Sequence, residues 1–232
     1  MRGSILRAAA VLGLTSLLLF QAACDEDKSF YIYQNQVPES GCVVTTDDTI
    51  YRSQGVLDVS LGAGYVLFPL LRNDLPTKKP AEDISDRPEP NQLHMREFRV
   101  KLDLGSTPHS VPPGELTFSR PTSGVLLPGD KRASAVEIIP DDVVKKLKVA
   151  SGARPMVIAE IKAVAESGEG DVYESLPFYY PVSLCNGCLV VTLGACPTSA
   201  AADDSNVCGL PQDGPLVCCT DSALGFHCLA GN

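Results

Sequence analysis

The chain has 232 residues, with 19 Lys and Arg against 28 Asp and Glu, for a net charge of −9. That acidic balance excludes a nucleic-acid-binding class, which draws on clustered basic side chains, and it offers no surface attraction to anionic lipid. There are nine cysteines, an odd number that leaves one thiol over if the others pair.

Arg2 and Arg7 frame the start of an apolar run from Ala8 to Phe20. The run is far shorter than the roughly 20 residues a bilayer-spanning helix needs, so residues 1–23 are expected to be a signal peptide. Ordinary secretory cleavage asks for small residues one and three positions before the cut, and Gln21 suits the outer position poorly. Leu19-Phe20-Gln21-Ala22-Ala23-Cys24 resembles the lipobox of bacterial lipoproteins, with Gln21 where that family usually has a leucine-like residue. The resemblance implies diacylglycerol on the Cys24 sulfur, cleavage just before it, and acylation (palmitate) of the new amine. It places the chain in a bacterial cell envelope, lipid-anchored to the outer membrane or surface, or to the periplasmic face of the inner membrane. Asp25, directly after the cysteine, resembles the inner-membrane retention signal of enteric bacteria. Cysteine parity agrees with the anchor, because lipid on Cys24 leaves an even set: Cys42, Cys185, Cys188, Cys196, Cys208, Cys218, Cys219 and Cys228. Loss of Arg2 and Arg7 makes the mature chain still more acidic, so the acyl chains, which hold firmly when there is more than one, would supply membrane binding.

Residues 24–39 read as anchor and tether, although Phe30, Tyr31, Ile32 and Tyr33 suggest packing on the body. The body, 40–184, is dominated by period-two alternation. Phe98, Val100, Leu102 and Leu104 share one face and Glu97, Arg99, Lys101 and Asp103 the other, the pattern of a half-buried strand. Val157, Ala159, Ile161, Ala163 and Ala165 form a second set, and Phe178, Tyr180, Val182 and Leu184 a third. Pro177 and Pro181 argue that the third is an edge strand. Shorter candidates are Cys42–Thr46, Val56–Leu61, Tyr65–Leu71, Glu115–Ser119 and Ala133–Ile139. One helix is expected from Pro140 to about Val149, with Asp141 and Asp142 at its positive end, Lys145, Lys146 and Lys148 toward its negative end, and Gly152 beyond. Many short strands and one helix predict a mainly β fold, an antiparallel β-sandwich. Residues 151–185, with Val157–Ile161, Glu166–Gly170 and Ser175–Pro177, resemble the last hairpin of fibronectin type III and immunoglobulin-like domains, although they lack a core tryptophan and an obvious tyrosine corner. Residues 73–92 hold four prolines and eight charged residues and read as a long solvated loop, with a recognition loop as the sharper alternative.

The tail, 185–232, carries seven of the cysteines and few large apolar side chains. It cannot build a core of its own, so disulfides are expected to staple it. With only Cys42 outside the tail, one bridge must run back to the body and close a loop of more than 140 residues. Spacing alone does not select the pairing, except that adjacent Cys218 and Cys219 are not expected to bond each other. Asn186-Gly187 signals a tight turn, predicting that Leu184 and Leu189–Val191 form a hairpin. A redox dithiol would want Cys185-Asn186-Gly187-Cys188 where a strand opens onto a helix, and a zinc knuckle would want free thiolates, so both stand behind the structural reading.

The catalytic inventory is thin. His94, His109 and His227 have no second histidine at metal-ligand spacing, and there is no Gly-x-Ser-x-Gly elbow or phosphate-binding glycine loop. Asp47-Asp48, Asp141-Asp142 and Asp203-Asp204 read as turn or helix-start residues rather than calcium ligands. The expectation is a non-enzymatic envelope lipoprotein with a binding or scaffolding role. It needs no cofactor or metal, and its partners are a membrane through the anchor and other envelope or extracellular proteins. The alternatives are an envelope hydrolase whose site is assembled from distant residues, or a metal or redox role for the tail.

Overall fold

The computed structural model describes residues 29–78, 89–196, 208–221 and 225–228. The signal segment with Cys24, residues 79–88 of the charged loop, and Asp203-Asp204 lie outside the described residues. The chain is mainly β, in several sheets.

The two long alternating segments form the centre. They are β5 (Leu93–Asp103) and β10 (Met156–Ser167), which pair antiparallel from Ile158 opposite Asp103 to Ser167 opposite Leu93. Phe98, Val100 and Leu102 point into the core with Val157, Ala159 and Ile161, while Arg99, Lys101 and Ile158 face solvent. The register slips where Arg96 stands as an extra residue opposite the Val164–Ala165 step, and this bulge brings Met95 and Phe98 onto the same buried face. The sheet order is β2 (Gly55–Asp58), β12 (Phe178–Cys185), β10, β5 and β6 (Thr117–Pro121). To it are added β7 (Val125–Leu126) on β5 and β11 (Val172–Glu174) on β10.

A second sheet has the order β1 (Phe30–Asn35), β4 (Pro69–Asn73), β8 (Lys131–Ala133), and β3 (Tyr65–Leu67) pairs with β9 (Val136–Ile139). Phe30, Ile32, Leu71, Leu67 and Ile139 from these strands join Phe98, Ile161, Tyr180 and Val182 in one continuous buried cluster. The Phe30–Tyr33 run therefore does pack on the body, and the body begins inside the stretch read as tether. Tyr65–Leu71 is divided between β3 and β4, and Ala133–Ile139 between β8 and β9, because each half pairs with a different neighbour. Cys42–Thr46 is not a strand; a 3-10 turn (Ser40–Cys42) occupies its start.

Three further expectations change. First, β12 is not an edge strand: β10 lies on one side of it and β2 on the other. However, β2 reaches only Val182 to Cys185, so Pro181 falls in the half of β12 that β2 does not cover, where a missing N–H is tolerated. Second, pairing is not purely antiparallel, since β2 runs parallel to β12. Third, the helix shrinks to α1 (Asp141–Val144). Its continuation is diverted into pairing with the loop before it: Lys148 N–H donates to Pro108 O, Ser110 N–H donates to Lys146 O, and Leu147 bridges His109. Burial of Val143, Val144, Leu147 and Val149 fixes that irregular path better than a ten-residue helix would fix itself. Among the described residues, no helix is long and apolar enough to cross a membrane.

Both ends of the charged loop are pinned. Asn73 is fully buried; its side-chain amide donates to Asn91 O at 3.0 Å and Leu126 O at 3.1 Å, and its Oδ1 accepts Leu75 N–H at 3.1 Å. Asn91 in turn donates to Pro76 O at 2.6 Å. Replacing Asn73 by Ala strands three buried backbone groups, so Asn73→Ala should lower stability by about 2–4 kcal/mol. A urea unfolding midpoint within error of the unaltered protein would contradict this role.

Candidate functional site

A densely connected polar region lies along the outer edge of β2. Gly55 opens the strand because the Tyr65 ring occupies the place of a side chain there. Beyond β2 the tail supplies Pro211–Asp213, which pairs with the strand edge through an isolated bridge. Asp58 N–H donates to Pro211 O at 3.0 Å, Asp213 N–H donates to Val56 O at 2.9 Å, and Leu57 bridges Gln212. The Gln212 side chain extends the pairing to β3, accepting Val66 N–H at 2.8 Å and donating to Val66 O at 2.8 Å.

Asp213 takes φ +63, a backbone region that aspartate tolerates. Its Oδ1 accepts Val56 N–H at 2.8 Å, while Oδ2 lies 2.8 Å from the Tyr65 hydroxyl and 2.6 Å from the Arg52 guanidinium. Because Tyr65 spends its one hydroxyl proton on Asp213, Tyr180 must be the donor in the 3.1 Å contact between the two phenols. Asn35 then donates to Tyr180 at 2.8 Å. The result is a chain of aligned donors from Asn35 through Tyr180 and Tyr65 to Asp213, inside the core. Burial, followed by the neighbouring Asp213 charge, pushes the Tyr65 phenol far above its ordinary value. Burial likewise pushes Tyr180 up to about 12. Neither phenol ionises near neutral pH, and the cluster is built to hold protons in place.

The second hub is Asp58, at the other end of β2 and fully buried. Its Oδ1 accepts the Ser60 N–H at 3.0 Å, the Ser60 hydroxyl at 2.7 Å and the Gly187 N–H at 2.8 Å; its Oδ2 accepts the Leu189 N–H at 2.8 Å. Burial acts to raise this carboxyl, but the hydrogen bonds from Leu189, Ser60 and Gly187 outweigh it, and the group lies below its ordinary value of 3.8. Two of these donors belong to the loop around Cys185-Asn186-Gly187-Cys188. The expected hairpin does not form: with Gly187 and Leu189 N–H turned to Asp58, the chain leaves β12 and enters a separate sheet. That sheet comprises β13 (Val190–Ala195), β14 (Leu216–Asp221) and β15 (Gly225–Cys228), with β13 parallel to β14.

The eight cysteines fall into four pairs at disulfide distance: Cys42 with Cys208, Cys185 with Cys188, Cys196 with Cys219, and Cys218 with Cys228. Adjacent Cys218 and Cys219 point to opposite faces of β14; Cys218 faces its register partner Cys228, and Cys219 reaches back to Cys196. The body-to-tail bridge is Cys42–Cys208, spanning 166 residues with Cα atoms 4.7 Å apart. By loop-closure entropy a bridge of that span stabilises by about 5 kcal/mol, whereas one closing four residues contributes only about 2 kcal/mol.

The remaining sequence candidates are not gathered into a site among the described residues. His94 Nε2 lies 2.8 Å from Gln92 Nε2, and His109 Nδ1 accepts Val111 N–H at 3.1 Å. Asp47 caps Thr49 N–H, Asp48 pairs with Lys131, and Asp141 accepts Gly64 N–H. A cleft lined by Val37, Pro38, Glu39, Thr45, Asp47 and Ile50 holds about 110 Å³, well under the roughly 300–1,000 Å³ of ordinary small-molecule sites. Oxygen and sulfur atoms of Asp58, Cys185 and Cys188 lie within 4.8 Å of one another, but sulfurs bonded to each other are not thiolate ligands.

The chain matches no protein-family profile and no curated protein sequence.

Asp58, Tyr65, Gln212 and Asp213 were not singled out by sequence. Asp213-Gly214 between two prolines is a turn signal, and Asp58 ahead of Ser60 has the spacing of a capping aspartate. Neither pattern says what lies across the fold. Because the Asp58 carboxyl is depressed on folding, its contribution to stability is complete above its ordinary value and is lost as pH falls through the lower folded value. The stability gap between the unaltered protein and Asp58→Asn should therefore be constant around pH 7 and narrow below about pH 4. Urea midpoints at pH 7 and pH 3 test this, and a gap that widened on acidification would contradict the assignment.

Proposed function

We propose that the protein is a lipid-anchored cell-envelope protein that binds or scaffolds another envelope or extracellular protein, without catalysis of its own. The observation that carries the anchor is the cysteine pairing. Cys42, Cys185, Cys188, Cys196, Cys208, Cys218, Cys219 and Cys228 are all matched, so the ninth, Cys24, is the one cysteine without a pairing demand. That is the position the lipobox resemblance assigns to diacylglycerol. With more than one acyl chain the attachment is firm, and the acidic body stands off anionic lipid.

We read the body as a β-sandwich of the immunoglobulin type. The orders β12-β10-β5-β6 and β1-β4-β8 correspond, in chain order, to the G-F-C-C′ and A-B-E arrangements of that architecture. Such a scaffold binds through its exposed surfaces rather than through a deep cavity. On the outer face of the larger sheet Met156, Ile158 and Tyr179 are 47%, 39% and 59% exposed on neighbouring strands. They form an apolar contact face beside the ion pairs Arg99–Glu174 and Lys162–Glu174.

Cys24→Ala should convert the protein from the detergent-rich to the aqueous phase of a phase-partition assay and end incorporation of labelled palmitate, while all four disulfides persist. Retention in the detergent phase would overturn the anchor. Replacing Ile158 and Tyr179 together by Ser should abolish crosslinks to envelope proteins without shifting the melting temperature by more than a few degrees. Unchanged crosslinks would move the contact face elsewhere.

A further inference from the structure

We infer that Cys185 and Cys188 form a thiol–disulfide exchange site, with Cys188 as the reacting sulfur and Asp58 as the positioning residue. This inference does not rest on the lipid anchor or on the apolar contact face.

Three observations converge on this pair. It closes the smallest loop of the four, three residues apart against 10, 23 and 166. Chain entropy therefore constrains it about two orders of magnitude less than the Cys42–Cys208 bridge, and it is the first to open to a reductant. Its two sulfurs are also unequal: Cys185 ends β12 and is 2% exposed, while Cys188 sits half-buried on the loop. This asymmetry directs the exchange: the open sulfur takes the attack and the protected one leaves. Cys218 and Cys219 are likewise buried opposite the partly buried Cys228 and Cys196, so the short loop and the Asp58 grip are what set the Cys185–Cys188 pair apart. Finally, the Asp58 carboxylate grips the loop from beneath through Gly187 N–H and Leu189 N–H. That grip does not depend on the S–S bond, so after reduction the two thiols stay close enough to re-form it.

The co-reactant is a dithiol. One of its sulfurs, as thiolate, attacks Cys188 Sγ; the new S–S bond forms as the Cys188–Cys185 bond breaks, and the electron pair leaves on Cys185 Sγ, which takes a proton from water. The second thiol of the dithiol, having lost its proton to solvent, then displaces Cys188, which is protonated in turn. Two electrons pass in all. The dithiol becomes a disulfide, and Cys185 and Cys188 become thiols. The affected segment is the junction between β12 and β13, so reduction loosens the passage from body to tail while Cys42–Cys208 and the Gln212–Asp213 contacts keep the tail attached.

The test is a titration of the full mature chain against ratios of reduced to oxidised dithiothreitol, with free thiols alkylated and mapped by mass spectrometry. Cys185 and Cys188 should be labelled together at ratios at least about tenfold lower than any other pair requires; opening with or after the other three pairs would overturn the proposal. In Cys185→Ser the free Cys188 should form a mixed disulfide with oxidised glutathione at least about tenfold faster than Cys185 does in Cys188→Ser, and equal rates would overturn the assigned asymmetry. Asparagine at position 58 presents a donor to the Leu189 N–H and loses that grip. Asp58→Asn should therefore shift the equilibrium about tenfold toward the dithiol without moving the other pairs. An unmoved equilibrium would remove Asp58 from the site, and a parallel shift of all four pairs would mark a general loss of stability instead.

Discussion

The open edge of β2 is the constraint on which the rest of the arrangement depends. A four-residue strand at the margin of a seven-stranded sheet would leave backbone N–H and C=O groups facing water, an invitation to pair with another chain. Here the tail closes it. Pro211–Asp213 takes up the backbone of Val56 and Asp58, and Gln212 reaches past to Val66 on the neighbouring sheet. The tail, which has too little apolar surface for a core of its own, gains in exchange a fixed seat beside one. Cys42–Cys208 holds that seat covalently, and because it spans most of the chain it removes more freedom from the unfolded state than the other three bridges.

Around this edge the molecule is organised by buried polar side chains that bond backbone. Asn73 gathers the loops that follow β4 and β7, Asp58 holds the turn after β2 and the loop after β12, and Asn35 accepts Phe68 N–H while donating to Tyr180. Each both crosses between segments and has its polar atoms partnered, and this lets short strands and irregular connections remain ordered at low cost. The apolar core sets which faces are inside. The polar hubs decide where each connection runs.

Legibility in the sequence followed the range of the interaction. β5 and β10 could be read because alternation is a local property, and every one of Phe98, Val100, Leu102, Val157, Ala159 and Ile161 is buried as the pattern requires. The interruption after Leu67, the diversion of the chain beyond Val144 and the interior place of β12 could not be read. Each depends on a partner strand far away in the chain: β9 for β3, residues 108–110 for 146–148, and β2 for β12. Asn186-Gly187 turns the chain but closes no hairpin, because the N–H groups of Gly187 and Leu189 go to Asp58, 129 and 131 positions earlier.

The sequence by itself determined the mainly β character and the acidic balance, and it required a bridge from Cys42 into the tail only if the eight cysteines other than Cys24 all pair among themselves; these follow from alternation, charge and counting. Only the tertiary structure decided that the partner is Cys208, that Cys218 and Cys219 diverge to Cys228 and Cys196, and that Asp58 and Asp213 hold the junction. Those choices rest on which atoms lie within bonding distance once the sheets have packed. Eight cysteines of equal chemistry carry no mark of their partners along the chain.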